Sequence, residues 1–377
     1  MDSRRVNIFI IFLPAPDRFS SRRSNSIDTL LVSIPSCKGV RGRARQATTI
    51  RMTDVAEAAG VGVMTVSRTF SDAGKVAEET RNRVLKAART LGFIPNQAAG
   101  ALSSRTSRVV GLFIPNLLDA TYHQIYRGVV DRLEPAGYQV FVAETRYDQS
   151  REEAEIRSML GWRARGMIFT GSERSALSRK LLTDAGAAVC SVMTTKAMDG
   201  FTAVGFSSSR SMKALGAHLL ERGHCRIALV RSARFTHRRL KARHDALRTA
   251  IANKAAFRVL ELDADIPFSF RQGADAVDAA LATTGKGWTL VFSNDIPAAG
   301  AILRARELGL AVPRDLAIVG YAGLEIAEAI RPRLTTVRIP KYDMGAEAAR
   351  LLIEQMAGRE VAQSADLGFE LVAGETT

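Results

Sequence analysis

The sequence predicts an α/β protein with a helix-turn-helix headpiece ahead of a larger core. Three observations carry this. Met52–Phe70 reads as two short helices joined by a glycine turn. From Val109 onward, short apolar runs alternate with amphipathic stretches. The chain has 377 residues, of which 46% are hydrophobic, enough for two or three domains with a sizeable core.

Residues 1–48 are rich in Arg and Ser and lack periodicity, and residues 41–45 form a basic cluster. The segment is expected to be a disordered basic extension; an arm that adds phosphate contacts is the alternative. Its apolar run Val6–Leu13 is too short to span a membrane and ends at Pro14 and Pro16. The formal net charge of +15 favours an anionic partner. Residues 1–51, however, hold ten Lys/Arg against three Asp/Glu, whereas residues 52–107 hold seven against five. Nearly half the excess charge therefore sits in the extension, and the helix-turn-helix must itself carry the case for DNA.

Residues 49–93 form the expected headpiece. Thr53 or Asp54 is placed to cap the first helix, with Val55, Ala58 and Ala59 on one face. Residues 60–62, Gly-Val-Gly, supply the turn. Val63–Phe70 forms the second helix, with Val66 and Phe70 turned inward. Met64, Thr65, Ser67 and Arg68 remain outside, where hydroxyls and a guanidinium can bond base edges or phosphates. An ordinary helical hairpin is the alternative. Residues 71–74 read as a loop. Glu78–Leu91 reads as a third helix with Val84, Leu85, Ala88 and Leu91 on one face and Gly92 as its C-cap. Residues 94–107 follow as a linker. Pro95 can open a short helix there, and Gly100 weakens it.

Runs at 109–114, 138–143, 166–169, 187–192, 226–230, 288–292 and 316–320 read as buried strands. Segments 122–133, 150–162, 210–222, 239–253, 272–281 and 297–308 read as helices between them. This is the pattern of parallel sheets. The length suggests two lobes with a boundary near residues 206–209. Ligands of such folds sit at the carboxyl ends of strands. No phosphate loop, dinucleotide fingerprint, metal cluster or nucleophile–base constellation is apparent, so no cofactor and no catalytic residues are expected. Cys37, Cys190 and Cys225 are too few and too scattered for a disulfide framework or a zinc site, and fit a reducing cytoplasm.

Residues 54–68 (DVAEAAGVGVMTVSR), 92–102 (GFIPNQAAGAL), 293–301 (SNDIPAAGA), 312–323 (VPRDLAIVGYAG) and 331–340 (RPRLTTVRIP), in this order and spacing, resemble the lactose-repressor family of bacterial transcription regulators. Residues 158–175, 203–212 and 366–374 are most similar to its gluconate-utilisation repressors. The resemblance covers residues 50 to 377. It implies a hinge helix within 94–107 and a two-lobed periplasmic-binding-protein-like core. Residues 108–207 with 341–361 would form the N-terminal lobe, and 208–340 with 362–377 the C-terminal lobe. Dimers, or tetramers, would act on near-palindromic double-stranded operator DNA under control of a small sugar or sugar-acid effector such as gluconate.

Carried over by position, Val63, Met64, Thr65, Ser67 and Arg68 would read DNA. Asn96, Gln97 and Ala99 would lie near the minor groove, and Leu102 would wedge between base steps. Gly62 and Ala77 stand where the family often has Ser or Thr, so two capping bonds are lost. The effector cleft would hold Tyr122, Arg243, Asn294, Asp295 and Ala322. Tyr122 lines the cleft or belongs to the core. Arg243 matches a ligand-binding arginine that could clamp a carboxylate, although residues 246–247, Ala-Leu, replace the usual Gly-Phe. Asp295 binds ligand hydroxyls or caps the helix that begins at Ile296. Ala322 replaces an Asp found in many members; the missing carboxylate suits an anionic ligand or reflects a differently placed one. His237 and His244 read as surface residues. A sugar-binding protein without DNA activity and an α/β enzyme are the competing classes; the headpiece opposes the first and the lack of a catalytic constellation the second.

Overall fold

A computed structural model describes residues 50–71, 75–95, 107–198, 200–232, 238–262 and 268–377. The 1–48 extension, the 72–74 loop, the proposed hinge residues and His237 lie outside them. The headpiece and the core are two separate compact units.

In the headpiece, α1 (Met52–Ala59), α2 (Val63–Ser71) and α3 (Glu78–Leu91) surround one small apolar cluster. Val55, Ala56, Ala59, Val66, Val84 and Ala88 are buried in it, and Phe70, Leu91 and Phe93 pack against it. The expected inward face of α1 is corrected at one position: Ala56 is buried where Ala58 was expected, and Ala58 is exposed. Asp54 caps α1 from inside the helix rather than from its first position, accepting the Arg51 amide at 2.8 Å. Gly60 takes the left-handed conformation (φ 64°), and its amide closes α1 onto the Ala56 and Glu57 carbonyls. Gly92 ends α3 in the same way. Ala77 starts α3 with no side-chain cap.

The core opens with a six-stranded parallel sheet. Its strands are β1 (Val109–Ile114), β2 (Gln139–Glu144), β3 (Gly166–Thr170), β4 (Ala188–Val192), β5 (Thr202–Gly205) and the late β11 (Ser364–Asp366). The order is β11-β5-β4-β3-β1-β2. Between the strands run α4 (Ala120–Leu133), α5 (Gln149–Gly161) and α6 (Ala176–Asp184). All six residues of β1 are buried, as a central strand covered on both faces requires.

The second lobe begins with α7 (Ser208–Glu221), followed by β6 (Arg226–Ser232), α8 (Arg238–Ala250), β7 (Ala256–Leu262), α9 (Phe270–Thr283), β8 (Trp288–Val291), α10 (Asp295–Glu307), β9 (Leu316–Val319) and α11 (Glu325–Ala329). Its parallel sheet has the order β7-β6-β8-β9. β10 (Thr336–Arg338) pairs antiparallel with β12 (Glu370–Val372), while α12 (Lys341–Met356) returns to pack on α4. That contact depends on small residues: a Cβ on Gly128 would overlap the Tyr342 carbonyl oxygen, and one on Gly345 the Ile125 oxygen. Gly273 and Gly300 allow the same close approach between α9 and α10.

One expected boundary shifts. Residues 362–377 do not all belong to the second lobe, because β11 lies in register on β5 (Ser364 opposite Ala203, Asp366 opposite Gly205). The chain crosses to the second lobe only after it, at β12. β5, β7, α6 and β11 were not read as elements from the sequence. β5 and β11 have four and three residues. β7 is an edge strand whose residues are mostly exposed, which blurs the apolar run that marks a buried strand.

Candidate DNA-reading helix and effector cleft

The second helix of the headpiece presents the expected face. Met64 is 66% and Val63 44% exposed, although both are apolar. Arg68 is exposed, and Thr65 and Ser67 are partly buried along the same helix. Val66 and Thr69 turn inward, and the Thr69 hydroxyl donates to the Thr65 carbonyl at 2.8 Å. A protruding helix with Met, Thr, Ser and Arg outward can enter a major groove and meet thymine methyls, base edges and phosphates. Asn96, Gln97, Ala99 and Leu102 lie outside the described residues.

In the core, a cleft of about 340 Å³, open mouth included, lies at the carboxyl ends of the strands of both lobes. The first lobe contributes Asp119, Thr121 and Tyr122 from the start of α4, with Tyr147 and Met193. The second contributes Arg239 and Arg243 from α8, with Asn294, Tyr321 and Ala322. Of the five residues expected here, Tyr122, Arg243, Asn294 and Ala322 meet around this cleft.

Arg243 is buried to 6% exposure with its guanidinium 3.9 Å above the Tyr321 ring. It makes no ion pair or hydrogen bond with a described residue, and its Nε is buried without a partner. Burial lowers its pKa, yet an arginine keeps its proton. Tyr321 is fixed from behind: the Ser211 hydroxyl donates to the Ser208 carbonyl, so the Tyr321 hydroxyl donates to Ser211 Oγ at 2.8 Å. Arg239, one helical turn before Arg243, donates to the Tyr122 hydroxyl oxygen at 3.2 Å across the cleft, and its Nε also lacks a partner among the described residues. Asn294 caps α10 by accepting the Ile296 amide, and its Nδ2 lies 3.4 Å from both Asp119 Oδ1 and Thr121 Oγ1. Burial pushes the Asp119 carboxyl up, opposed by its Thr121 hydrogen bonds and by the two arginines. Two guanidiniums thus face one carboxylate among the described residues, and the cleft carries excess positive charge whichever form Asp119 takes.

Asp295 is the residue that does not line this cleft. It is fully buried, accepting the Leu324 amide and the Thr336 hydroxyl, each at 2.6 Å. The cap of α10 is Asn294, so neither expected role of Asp295 is seen; it ties the segment after β9 to β10. Lys341 holds the same segment, donating from Nζ to the Ala322 and Gly323 carbonyls. Ala322 sits at φ 112° with its methyl at the cleft wall and no carboxylate there. His244 is buried at 9% exposure, not a surface residue as expected. Sequence reasoning missed Arg239, Asp119 and Tyr147. Arg239 had a signal: four residues before Arg243, it must share that residue's helix face. Asp119 and Tyr147 gave none, since each belongs to a connection whose course depends on the fold.

Comparison with known proteins accords with this geometry. Residues 51–96 match the model for bacterial regulatory proteins of the lacI family, and residues 217–377 that for a periplasmic binding protein-like domain. The chain is 34% identical to the HTH-type transcriptional regulator GntR of Pseudomonas aeruginosa, over 86% of this chain and 95% of that protein. It is 32% identical to the regulator of the same name from Escherichia coli, over 85% and 96%. A lacI-family regulator from Silicibacter pomeroyi superposes with a TM-score of 0.80 at 28% identity, over 87% of this chain and 99% of that one. The chain belongs to the lacI family of bacterial regulatory proteins, and is a DNA-binding transcriptional regulator rather than an enzyme.

Proposed function

We propose that this regulator is a repressor of carbohydrate utilisation whose effector is a sugar acid such as gluconate, bound between the two lobes of the core. The observation that carries the reading is Arg243, a buried guanidinium that makes no ion pair or hydrogen bond with a described residue. A desolvated, unpaired charge is costly, and a ligand carboxylate bonded through two parallel N–H groups offsets that cost. Arg239 adds a second positive group, and Ala322 contributes no carboxylate of its own, so the two arginines face Asp119 alone among the described residues. Asp119 and Asn294 supply acceptor and donor groups for hydroxyls. A carboxylate between the arginines competes with Tyr122 for Arg239 and adds bonds across the cleft. Effector binding thereby changes lobe closure, and through it operator affinity. A homodimer presenting two copies of α2 would match a near-palindromic operator. Val63, Met64, Thr65, Ser67 and Arg68 would read its major groove, and Asn96, Gln97, Ala99 and Leu102 the adjacent minor groove.

Thermal-shift and calorimetric titration of the purified protein with gluconate and with glucose tests the effector. Gluconate raises the melting temperature by mass action and glucose does not. Arg243→Gln abolishes the gluconate shift while the protein still binds its operator. A shift with glucose alone would overturn the sugar-acid reading.

A further inference from the structure

The effector cleft does not end at its arginines. A second space of about 360 Å³, mouth included, adjoins it in the second lobe, where β6 and β8 end. It shares Leu240, Phe268 and Ser293 with the effector cleft. Two buried polar side chains line it, Ser232 at 7% and Gln272 at 6% exposure. Ser232 Oγ is buried with no hydrogen-bond partner among the described residues. A buried hydroxyl left unmade costs free energy, so such a group in a native protein calls for an occupant. The Gln272 carboxamide oxygen accepts the Phe268 amide at 3.1 Å, which leaves its NH2 group as the available donor. Gln272 stands in the first turn of α9, whose cap is Ser269. Arg231, the charged residue of this lining, already pairs with Glu261 at 2.7 Å. Its charge is thereby met, although its Nε is buried without a partner among the described residues; the Ser232 hydroxyl and the Gln272 carboxamide are neutral and suit hydroxyls rather than a second anion.

We infer that this space is the inner compartment of the effector site, receiving the hydroxylated tail of an open-chain sugar acid whose carboxylate lies at Arg243, and that Ser232 and Gln272 set the chain length the protein accepts. The inference rests on the sugar-acid reading above. It explains why two adjoining spaces of different chemistry share a wall: one end meets a charged head, the other a polyhydroxy tail. A compact ring would fill the outer space and leave Ser232 unpaired.

Calorimetric titration of the full chain with a series of straight-chain aldonic acids of three, four, five and six carbons tests it. The unaltered protein binds the six-carbon acid at least tenfold more tightly than the four-carbon acid. Ser232→Leu, which fills the compartment, removes that preference and leaves four-carbon binding within about twofold. Ser232→Ala and Gln272→Leu weaken six-carbon binding several-fold more than four-carbon binding, and guard against a folding defect in Ser232→Leu. Equal affinities along the series in the unaltered protein, or a preference that survives all three variants, would overturn the inference while leaving the sugar-acid reading intact. Failure of every acid to bind would overturn both.

Discussion

Burial, with Arg231 and Arg243 close by, pushes the His244 imidazole down to about 4. Burial also raises Asp295 to about 6, against the pull of its hydrogen bonds and of Lys341. The two act on stability with opposite sign. His244 binds its proton more readily unfolded, so its contribution is present above about 6.5 and is lost as the pH falls towards 4. Asp295 binds its proton more readily folded, so its contribution grows as the pH falls from about 6 to the unfolded value near 4. Each shift is worth about 3 kcal/mol at roughly 1.4 kcal/mol per unit, so the wild-type protein conceals both. His244→Asn removes one side of the balance. Its stability relative to wild type, followed by urea unfolding, should rise by about 3 kcal/mol between pH 7 and pH 4. Parallel pH profiles for the two proteins would count against a buried neutral His244.

Helix ends and helix crossings carry the predictions at the next scale. Ala77 begins α3 in extended conformation with no side chain to meet the first amides. Ala77→Ser supplies that acceptor and should stabilise the headpiece by about 1 kcal/mol, read as a higher unfolding midpoint of the headpiece transition. At the crossing of α9 and α10, a Cβ on Gly300 would overlap the Phe270 carbonyl oxygen. Neither backbone can yield cheaply, so Gly300→Ala should cost on the order of 2 kcal/mol of core stability by urea denaturation. This is also where the sequence was most and least informative. The strands β1, β3, β4, β6, β8 and β9 lie where apolar runs of the right length placed them, because a strand buried on both faces has little choice of composition. Gly60 and Gly92 were legible because few other residues end a helix in the left-handed conformation. Gly128, Gly273, Gly300 and Gly345 were not, since their necessity lies in a partner helix distant in sequence. Within the site, Arg243 and Asn294 were placed by the family resemblance rather than by composition or periodicity. Asp295 could not be separated from its neighbour, because one residue of rotation about the strand end decides which side chain faces the cleft and which the interior.

For the whole molecule, effector and operator must influence each other equally. If gluconate changes operator affinity by some factor, operator DNA changes gluconate affinity by the same factor, because both routes round the cycle have one total free energy. Titrating effector with and without a saturating operator duplex should return that equality; unequal factors would show that a third equilibrium, such as subunit association, intervenes. The division of labour is testable too. The headpiece and the core are separate compact units, so a chain lacking residues 52–107 should lose operator binding in a gel-shift assay yet keep its melting shift with effector.

The placement of β11 has a consequence for how the protein is made. The sheet of the first lobe has β5 near one edge, and that edge is completed only by residues 364–366. Between β5 and β11 the ribosome must deliver the second lobe from α7 to β10, all but its last strand β12. For that interval the nascent chain holds a five-stranded sheet with one bare rim, open to pairing with any extended segment nearby, including the same rim of a neighbouring nascent chain on a polysome. The early lobe reaches its full complement of strands only once residues 364–366 have been made. Chains stalled or truncated before residue 364 should accumulate as aggregates rather than as soluble half-proteins.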